Sequence, residues 1–173
     1  MSSLNIEDKA AKTAVRLVEV LTGGHYTLAL AESCTAGLVS DLIARVSGAS
    51  AVLWGSFVCY SPEAKKQMLQ LGNFLEKHGL VSAETAGEMA LKALVLSGAT
   101  IGASVTGLAG PLGDGSAAPV GTVFAGIARR VNGEAAVDVK PLFFRGTRAE
   151  IRMQAALAVL EGLLETMGLT NFI

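Results

Sequence analysis

The sequence contains few of the side chains on which disulfide-rich and metal-dependent proteins rely. Only two cysteines and two histidines are present among its 173 residues. Two cysteines do not make a disulfide framework, and neither histidine stands at ligand spacing from a cysteine or a carboxylate. We therefore expect a protein without a metal site.

Charge imbalance and signal-like apolar segments are also absent. There are 14 Lys and Arg against 15 Asp and Glu, with no long basic run, so nucleic acid is not an expected partner. Residues 1–12 contain no apolar signal core, and residues 89–110, although weakly charged, include Lys92, Ser97 and four glycines. That stretch predicts a buried helix followed by a buried strand. These absences predict a cytoplasmic protein with no membrane contact.

Small and aliphatic residues are abundant instead. Hydrophobic residues make up 51% of the chain and glycine supplies 20 residues, whereas aromatic residues make up only 5%. This composition fits close packing of helices on a sheet and tight glycine turns. Because the length suits one sizeable core and no repeat or linker is visible, we expect a single domain over residues 1–173.

Strand and helix patterns alternate along the chain. Helices are predicted near 6–21, 35–46, 61–72, 83–97 and 147–167, and strands near 26–31, 51–60, 100–105, 120–128 and 135–144. Residues 73–79 predict an irregular connection, and Asn132-Gly133 indicates a hairpin between the last two strands. The predicted fold is α/β: a three-layer α/β/α domain with a mixed, mostly parallel sheet containing one hairpin. Ligands of such sheets bind at the carboxyl ends of the strands.

The turn between the first strand and the second helix, AESCTAG at residues 31–37, is the first candidate site. A strand, a tight turn of small residues and a helix would aim Ser33 and several backbone N–H groups at one point, beside the positive end of a helix dipole. A nucleophile that forms an oxyanion needs this arrangement, and so does a pocket that binds phosphate.

A base for Ser33 is not obvious from the histidines. The turn lacks a Gly-x-Ser-x-Gly motif, and His25 and His78 are predicted in loops with solvated or structural roles. Lys65, about one turn into a helix that follows a strand, could act as the base if it is desolvated and its pKa falls. The alternative is that Lys65 and Lys66 are both surface lysines.

Two neighbours of these residues have open roles. The hydroxyl of Tyr60 could hydrogen-bond the lysine or the serine, or the ring could simply pack. Cys34 is a rival nucleophile because a helix N-terminus lowers the pKa of a thiol. The alternative for Cys34 is a small buried turn residue.

Two further segments could hold a substrate. Thr106 and Gly107 open a loop with five glycines directly after a buried strand, where backbone amides could approach a ligand. Arg145, Arg148 and Arg152 surround the start of the last helix, where their charge opposes the dipole. An anionic partner would offset this repulsion: a substrate phosphate, Glu150, or another carboxylate of the fold.

Six motifs, in order along the chain, resemble the C-terminal domain of the competence/damage-inducible protein CinA, which also occurs alone as nicotinamide-nucleotide amidase. They are AESCT at 31–35 with Gly37, YS at 60–61 with EAK at 63–65, KHG at 77–79 with VS at 81–82, VTG at 105–107 with AGP at 109–111, PVGTV at 119–123, and RG at 145–146 with Arg148 and IR at 151–152. The resemblance extends from about residue 6 to residue 167.

The resemblance implies an enzyme that hydrolyses the carboxamide of nicotinamide mononucleotide to nicotinate mononucleotide and ammonia. It implies Ser33 as nucleophile, Lys65 as base and Tyr60 as a supporting polar group, with no metal or organic cofactor. The expected partner is a small nucleotide substrate, and a homo-oligomer remains open. The residues expected to bind the substrate are Cys34, Thr35, Ala36, Gly37, Thr106, Gly107, Arg145 and Arg148.

The chain departs from the family pattern at two places. Ala36 stands where the family usually has glycine, and residues 116–118 (SAA) stand where it usually has a charged residue before Pro-Val-Gly-Thr. The larger family members also carry an N-terminal nucleotide-processing domain, for which this chain has no room. Ala36 is the feature that permits an alternative function, a catalytically weak nucleotide-binding or regulatory module of the same fold. A third hypothesis, independent of this departure, is a thiol hydrolase that uses Cys34.

Overall fold

One five-stranded sheet organises the part of the chain that the structure describes. The structure is a computed structural model that describes residues 3–115 and 117–168, with the backbone alone at residues 3–5. Its strands are β1 (Leu28–Glu32), β2 (Leu53–Val58), β3 (Ile101–Gly107), β4 (Thr122–Val131) and β5 (Glu134–Phe143), in the spatial order β2-β1-β3-β4-β5. The pairs β1–β2 and β1–β3 are parallel, and β3–β4 and β4–β5 are antiparallel. Four strands therefore point the same way, and β4 alone is reversed.

Six α-helices in the described residues cover the two faces of this sheet. They are α1 (Ser3–Gly23), α2 (Leu38–Ala44), α3 (Pro62–Leu69), α4 (Gly72–His78), α5 (Ala83–Ser97) and α6 (Arg148–Thr166), and a short 3-10 turn spans Ala49–Ala51. Successive residues of β1 point to opposite faces, as a strand requires. Leu28 and Leu30 pack in the core under α1, α2 and α6, whereas Ala29 and Ala31 pack in the core under α3, α4 and α5. The predicted three-layer α/β/α architecture is confirmed.

Small residues let α5 approach the sheet closely. A side-chain carbon at Gly102 would lie 2.3 Å from the carbonyl oxygen of Ala90, and one at Gly126 would lie 2.6 Å from that of Ala86. The hydroxyl of Ser104 donates a hydrogen bond to the same Ala86 carbonyl at 2.6 Å. The abundance of small residues in the sequence thus has a direct use at this helix–sheet contact.

Local signals in the sequence set most of the element ends. Ser61 caps α3 ahead of Pro62, and Thr147 forms a capping box with Glu150 at the start of α6. The hairpin turn has positive φ at Asn132 and Gly133, as the Asn-Gly pair predicts.

Two predictions of local structure were wrong. Residues 73–79 were predicted to be irregular, but most of them form α4, which ends at His78. The imidazole ring of His78 stacks on the ring of Phe74. The helix predicted from residue 35 begins only at Leu38, because Ala36 and Gly37 have φ of 51° and 91°. The turn before α2 is thus longer than the sequence indicates.

Candidate active site

Five segments that are distant in sequence meet at the carboxyl ends of β1 and β3. They enclose a cavity of about 190 Å³. Its lining residues are Ser33, Cys34, Tyr60, Lys65, Leu80, Val81, Gly107, Leu108, Ala109, Asp114 and Arg148. The structure thus brings together the three predicted catalytic residues and two of the predicted segments around them.

The turn after β1 presents Ser33 to this cavity. Ser33 is 6% exposed, and its backbone N–H donates to the carbonyl of Val105 at 3.0 Å, which ties the turn to β3. Ala36 in turn donates its N–H to the carbonyl of Ser33 at 3.0 Å. The N–H groups of Cys34, Thr35 and Gly37 donate no backbone-to-backbone hydrogen bond in the described part of the chain. Of these three residues, Cys34 lines the cavity, whereas Thr35, which is fully buried, and Gly37 do not, contrary to their predicted contact with the substrate.

A buried carboxylate, which the sequence reasoning missed, holds the other side of the turn. One oxygen of Glu32 accepts hydrogen bonds from the Thr35 hydroxyl at 2.8 Å and the Val39 N–H at 3.0 Å. The other accepts from the Ser40 N–H at 2.9 Å and the Ser56 hydroxyl at 3.1 Å. The amides of Val39 and Ser40 in the first turn of α2 therefore bind a carboxylate of the protein rather than facing the cavity, contrary to expectation. A signal was present: Glu32 ends a strand whose other residues are all apolar.

Arg152 fixes the carbonyl side of the same turn. Its Nε donates to the carbonyl of Cys34 at 3.1 Å, and its Nη2 donates to that of Thr35 at 2.5 Å. An anionic partner was the expected way to offset arginines at the start of α6. For Arg152 the partners are backbone carbonyls, which carry partial negative charge and hold the peptide planes of the turn in one orientation.

The methyl group of Ala36 does not crowd the turn. Ala36 is exposed, so the side chain points away from the packed residues. Its φ of 51° lies in the left-handed region, which costs an L-residue about 1–2 kcal/mol. The departure from the usual glycine therefore affects stability rather than the shape of the cavity.

Lys65 is buried, so the alternative prediction, that it is a surface lysine, was wrong. The residue is 3% exposed, and its Nζ lies 3.5 Å from Oγ1 of Thr106, to which it donates a long hydrogen bond. That hydroxyl in turn donates to the carbonyl of Leu80 at 2.9 Å. Burial lowers the pKa of Lys65 from its ordinary 10.5, because a charged amine loses its hydration. Lys66, its neighbour on α3, is half-buried.

The carboxyl end of β3 supplies Gly107 but not Thr106 to the cavity wall. Thr106 is fully buried, and its hydroxyl accepts the long hydrogen bond from the Lys65 amine. A side-chain carbon at Gly107 would lie 2.7 Å from the carbonyl oxygen of Thr122, so packing against β4 requires glycine here. Of the loop residues that depart from the family pattern, Ser116 lies outside the described residues, Ala117 is exposed and Ala118 is half-buried.

The thiol beside Ser33 is not activated. Cys34 is 6% exposed, and burial raises its pKa from 9.0 to about 11, more than the nearby Lys65 and Arg152 lower it. The expectation that its position lowers the pKa of this thiol was wrong. Cys59 is fully buried, and burial raises its pKa to about 11 as well. Cys34 fits the small buried turn residue of the alternative prediction.

Arg148 and Tyr60 form the rim of the cavity. Arg148 donates from Nη1 to the carbonyl of Gly110 at 2.6 Å and from Nη2 to the hydroxyl of Tyr60. Tyr60 is 54% exposed, so this pair lies at the solvent boundary. Arg145, the other predicted substrate-binding arginine, is exposed and is not among the lining residues; its carbonyl accepts from the side chain of Gln154.

Metal ligands do not converge in the described residues. Residues 3–115 and 117–168 contain no group of three or more His, Cys, Asp and Glu side chains able to hold a metal ion. His25 is exposed, and His78 lies on α4. In the same part of the chain, no helix has the length and apolar character needed to cross a membrane.

The fold and the cavity define a class: an α/β protein with a buried serine and a buried lysine at the carboxyl edge of its sheet. Sequence comparison then gives the family. The model of the CinA C-terminal domain matches residues 10–167. The chain therefore belongs to the CinA C-terminal domain family.

Relatives and solved structures agree with this assignment. A CinA-like protein of Chlorobium phaeovibrioides (strain DSM 265 / 1930) is 41% identical over 154 residues, covering 87% of this chain and 36% of that protein. The chain thus spans about a third of the length of the curated relatives it matches. The crystal structure of competence/damage inducible protein CihA from Agrobacterium tumefaciens superimposes with a TM-score of 0.83 at 35% identity, covering 91% of this chain and 94% of that one. A CinA superfamily structure from Klebsiella pneumoniae gives 0.84 at 28% identity, with 92% and 98% covered.

Proposed function

We propose that the chain is an amidohydrolase that converts nicotinamide mononucleotide to nicotinate mononucleotide and ammonia. The observation that carries this proposal is the burial of Lys65 in the wall of the cavity that Ser33 also lines. Burial lowers the pKa of this amine, and an uncharged amine can accept a proton from an alcohol. The family resemblance supports the choice of substrate.

In the first half of the proposed reaction, neutral Lys65 takes the hydroxyl proton of Ser33 as the serine oxygen attacks the carboxamide carbon. The carbonyl oxygen becomes an oxyanion, held by backbone N–H groups of the turn after β1, that of Cys34 among them. Such donors act strongly because they are oriented before the charge develops. Glu32 and Arg152 keep them oriented, since they bind the turn from its side-chain and carbonyl sides.

In the second half, the Lys65 ammonium donates its proton to the departing nitrogen, the carbon–nitrogen bond breaks, and ammonia leaves an acyl ester on Ser33. Neutral Lys65 then takes a proton from water, whose oxygen attacks the ester carbon. Collapse of this second intermediate releases the carboxylate product, and the proton returns to the serine oxygen. The lysine thus serves as base and as acid in both halves.

In the proposed complex, the 5′-phosphate of this substrate lies at the rim of the cavity. Arg148 is the cation among the rim residues that reaches a cavity-lining partner, the Tyr60 hydroxyl. Its guanidinium can form paired hydrogen bonds with a phosphate once the substrate arrives. Arg145 is exposed and outside the lining, so Arg148 is the arginine that we assign to the phosphate.

The test is ammonia release from the mononucleotide by the wild-type chain and by Ser33→Ala, Lys65→Ala and Lys66→Ala. We expect the first two variants to lose at least about 10³-fold in kcat, as removal of a nucleophile or its base does. Lys66→Ala truncates the same type of side chain at a half-buried neighbouring position and should retain activity. Turnover by Ser33→Ala at the wild-type rate would reject the mechanism.

A second readout separates the enzyme from the binding module. Tight binding of the mononucleotide by the wild-type chain without ammonia release, at any pH from 6 to 9, would establish the regulatory alternative. Loss of discrimination between the mononucleotide and its riboside in Arg148→Ala is the result expected for a phosphate-binding arginine.

A further inference from the structure

The hydroxyl of Thr106 connects the buried amine of Lys65 to the backbone. Thr106 is fully buried at the carboxyl end of β3, and its Oγ1 accepts a hydrogen bond from Nζ of Lys65 at 3.5 Å. The same hydroxyl donates its proton to the carbonyl of Leu80 at 2.9 Å. A threonine hydroxyl has only one proton to donate. Toward Lys65 it therefore acts as an acceptor.

This acceptor role decides which part of the neutral lysine amine stays free. A neutral amine has two N–H groups and one lone pair, and only the lone pair can take a proton. A hydroxyl that is free to rotate can donate to the lone pair and occupy it. The hydroxyl of Thr106 donates to Leu80 instead and binds an N–H of Lys65, so it leaves the lone pair available.

The end of the same strand also binds the serine turn. The carbonyl of Val105, the residue before Thr106, accepts the backbone N–H of Ser33 at 3.0 Å. Consecutive residues of β3 thus bind the turn that carries the proposed nucleophile and the side chain of the proposed base. Because both contacts come from one strand of the sheet, β3 can set the position of Ser33 relative to Lys65.

We propose that Thr106 is a positioning residue for Lys65: its hydroxyl oxygen anchors the amine so that the lone pair is presented to Ser33. This inference rests on the proposed function, because it assumes that neutral Lys65 takes the hydroxyl proton of Ser33. Thr106 is not among the residues that line the cavity, so it acts through Lys65 and not on the substrate.

The test compares Thr106→Val, which removes the hydroxyl and keeps the branched side chain, with Thr106→Ser, which keeps the hydroxyl. In Thr106→Val we expect kcat for nicotinamide mononucleotide to fall about ten- to hundredfold, because a small misplacement of the base is costly, and KM to stay within about threefold. Thr106→Ser should recover kcat to within about threefold of the wild type. Thr106→Ala replaces the valine variant if circular dichroism shows that the latter does not fold.

Thr85→Val is the matched control. Thr85 is also fully buried, and its hydroxyl donates to the carbonyl of Gly79 at 2.7 Å, one residue before the carbonyl that Thr106 binds. Both valine variants therefore release a carbonyl of the connection between α4 and α5, but Thr85 lies outside the cavity lining. Thr85→Val should keep kcat within about threefold of the wild type.

Three kinetic results would overturn the inference. Equal losses in Thr106→Val and Thr85→Val would mean that both hydroxyls only hold the connection between α4 and α5. Wild-type kcat in Thr106→Val would mean that the amine needs no anchor. Failure of Thr106→Ser to recover kcat would mean that the hydroxyl is not the group that matters.

The pH profile gives a readout that a purely structural role would not move. A hydroxyl oxygen that accepts from the amine favours its charged form, so removing this oxygen should lower the pKa of Lys65 beyond the lowering by burial. The acid limb of kcat/KM should move to lower pH in Thr106→Val and stay in place in Thr85→Val; an unmoved limb in Thr106→Val would contradict the anchor. The other ionisable groups around the amine are the same in both variants: Cys34, Cys59 and Asp114, whose charges act on it, Tyr60 and Arg148 of the cavity lining, and Glu63 and Lys66 on α3.

Failure of the proposed function can be distinguished from failure of this inference. If the wild-type chain releases no ammonia, a nuclear magnetic resonance titration of the lysine Cε shifts still tests the anchor, with the Lys65 signal identified by its loss in Lys65→Met. The pKa of Lys65 should then be lower in Thr106→Val than in the wild type, and an equal pKa would overturn the inference. If ammonia is released and Thr106→Val behaves as the wild type does, the function stands and the inference on Thr106 fails.

Discussion

Replacing Lys65 with methionine removes a buried amine while keeping most of the side-chain volume, so we expect the inactive variant to be more stable than the wild type. The lysine is 3% exposed, and its side-chain hydrogen bond to Thr106 is long, at 3.5 Å. A poorly bonded buried polar group costs about 1–3 kcal/mol. Loss of one long hydrogen bond lowers the unfolding free energy by less than about 1 kcal/mol. The net gain should be about 1–2 kcal/mol, or about 2–8 °C in Tm for a chain of this length.

The gain should depend on pH. Burial lowers the pKa of Lys65 below 10.5, so between the lowered pKa and 10.5 the unfolded chain binds a proton here that the folded chain does not. Wild-type stability therefore rises with pH across this window, and Lys65→Met lacks that contribution. The difference in unfolding free energy between Lys65→Met and the wild-type chain should be largest at low pH and shrink toward pH 10.

Urea unfolding followed by circular dichroism at pH 6, 7.5 and 9 measures this difference. Lys66→Met is the control: it makes the same substitution one residue along α3 at a half-buried position, where we expect a change within about 0.5 kcal/mol. A lower unfolding free energy for Lys65→Met than for wild type, or a difference that grows with pH, would refute the reasoning, because the amine would then be well satisfied and charged in the fold.

Three further predictions concern the turn before α2. Glu32→Gln replaces one of two buried acceptor oxygens with a donor, so the unfolding free energy should fall by about 2–4 kcal/mol; equal stability in urea would show that the four hydrogen bonds contribute little. Ala36→Gly relieves a left-handed backbone and should raise the unfolding free energy by about 0.5–1 kcal/mol; a decrease would mean that the backbone of Ala36 is not strained. Cys34 has its pKa raised from 9.0 to about 11, so iodoacetamide at pH 7.5 should label it about a hundredfold more slowly than in the unfolded chain; fast labelling would restore the thiol as a nucleophile.

Local signals made much of the fold predictable. The serine before Pro62, the capping box at Thr147 and the Asn132-Gly133 pair satisfy or bend the backbone within a few residues, so their effect does not depend on the rest of the chain. The irregular prediction for α4 failed because its seven residues lack a capping side chain at the start, and packing of Leu75 in the core stabilises the helix instead.

The candidate site was predictable in part for the same reason. Ser33 and Lys65 stand out because each follows a strand and precedes or opens a helix, which places both at the same sheet edge. Arg152 could not be assigned in this way, because its partners are carbonyl groups 117 and 118 residues away. Nothing in the residue types around it distinguishes a bond to a backbone carbonyl from one to a phosphate.

The sequence by itself determined the order of the strands and of the helices other than α4, the Asn-Gly hairpin and the family, since these follow from side-chain periodicity, caps and collinear motifs. Only the tertiary structure decided the ionisation of the site: that Lys65 is buried and its pKa lowered, that the pKa of Cys34 is raised, and that Asp114 enters the same cavity. The physical reason is that hydration and Coulomb interactions depend on distances between side chains in space, which residues far apart along the chain set together when they pack.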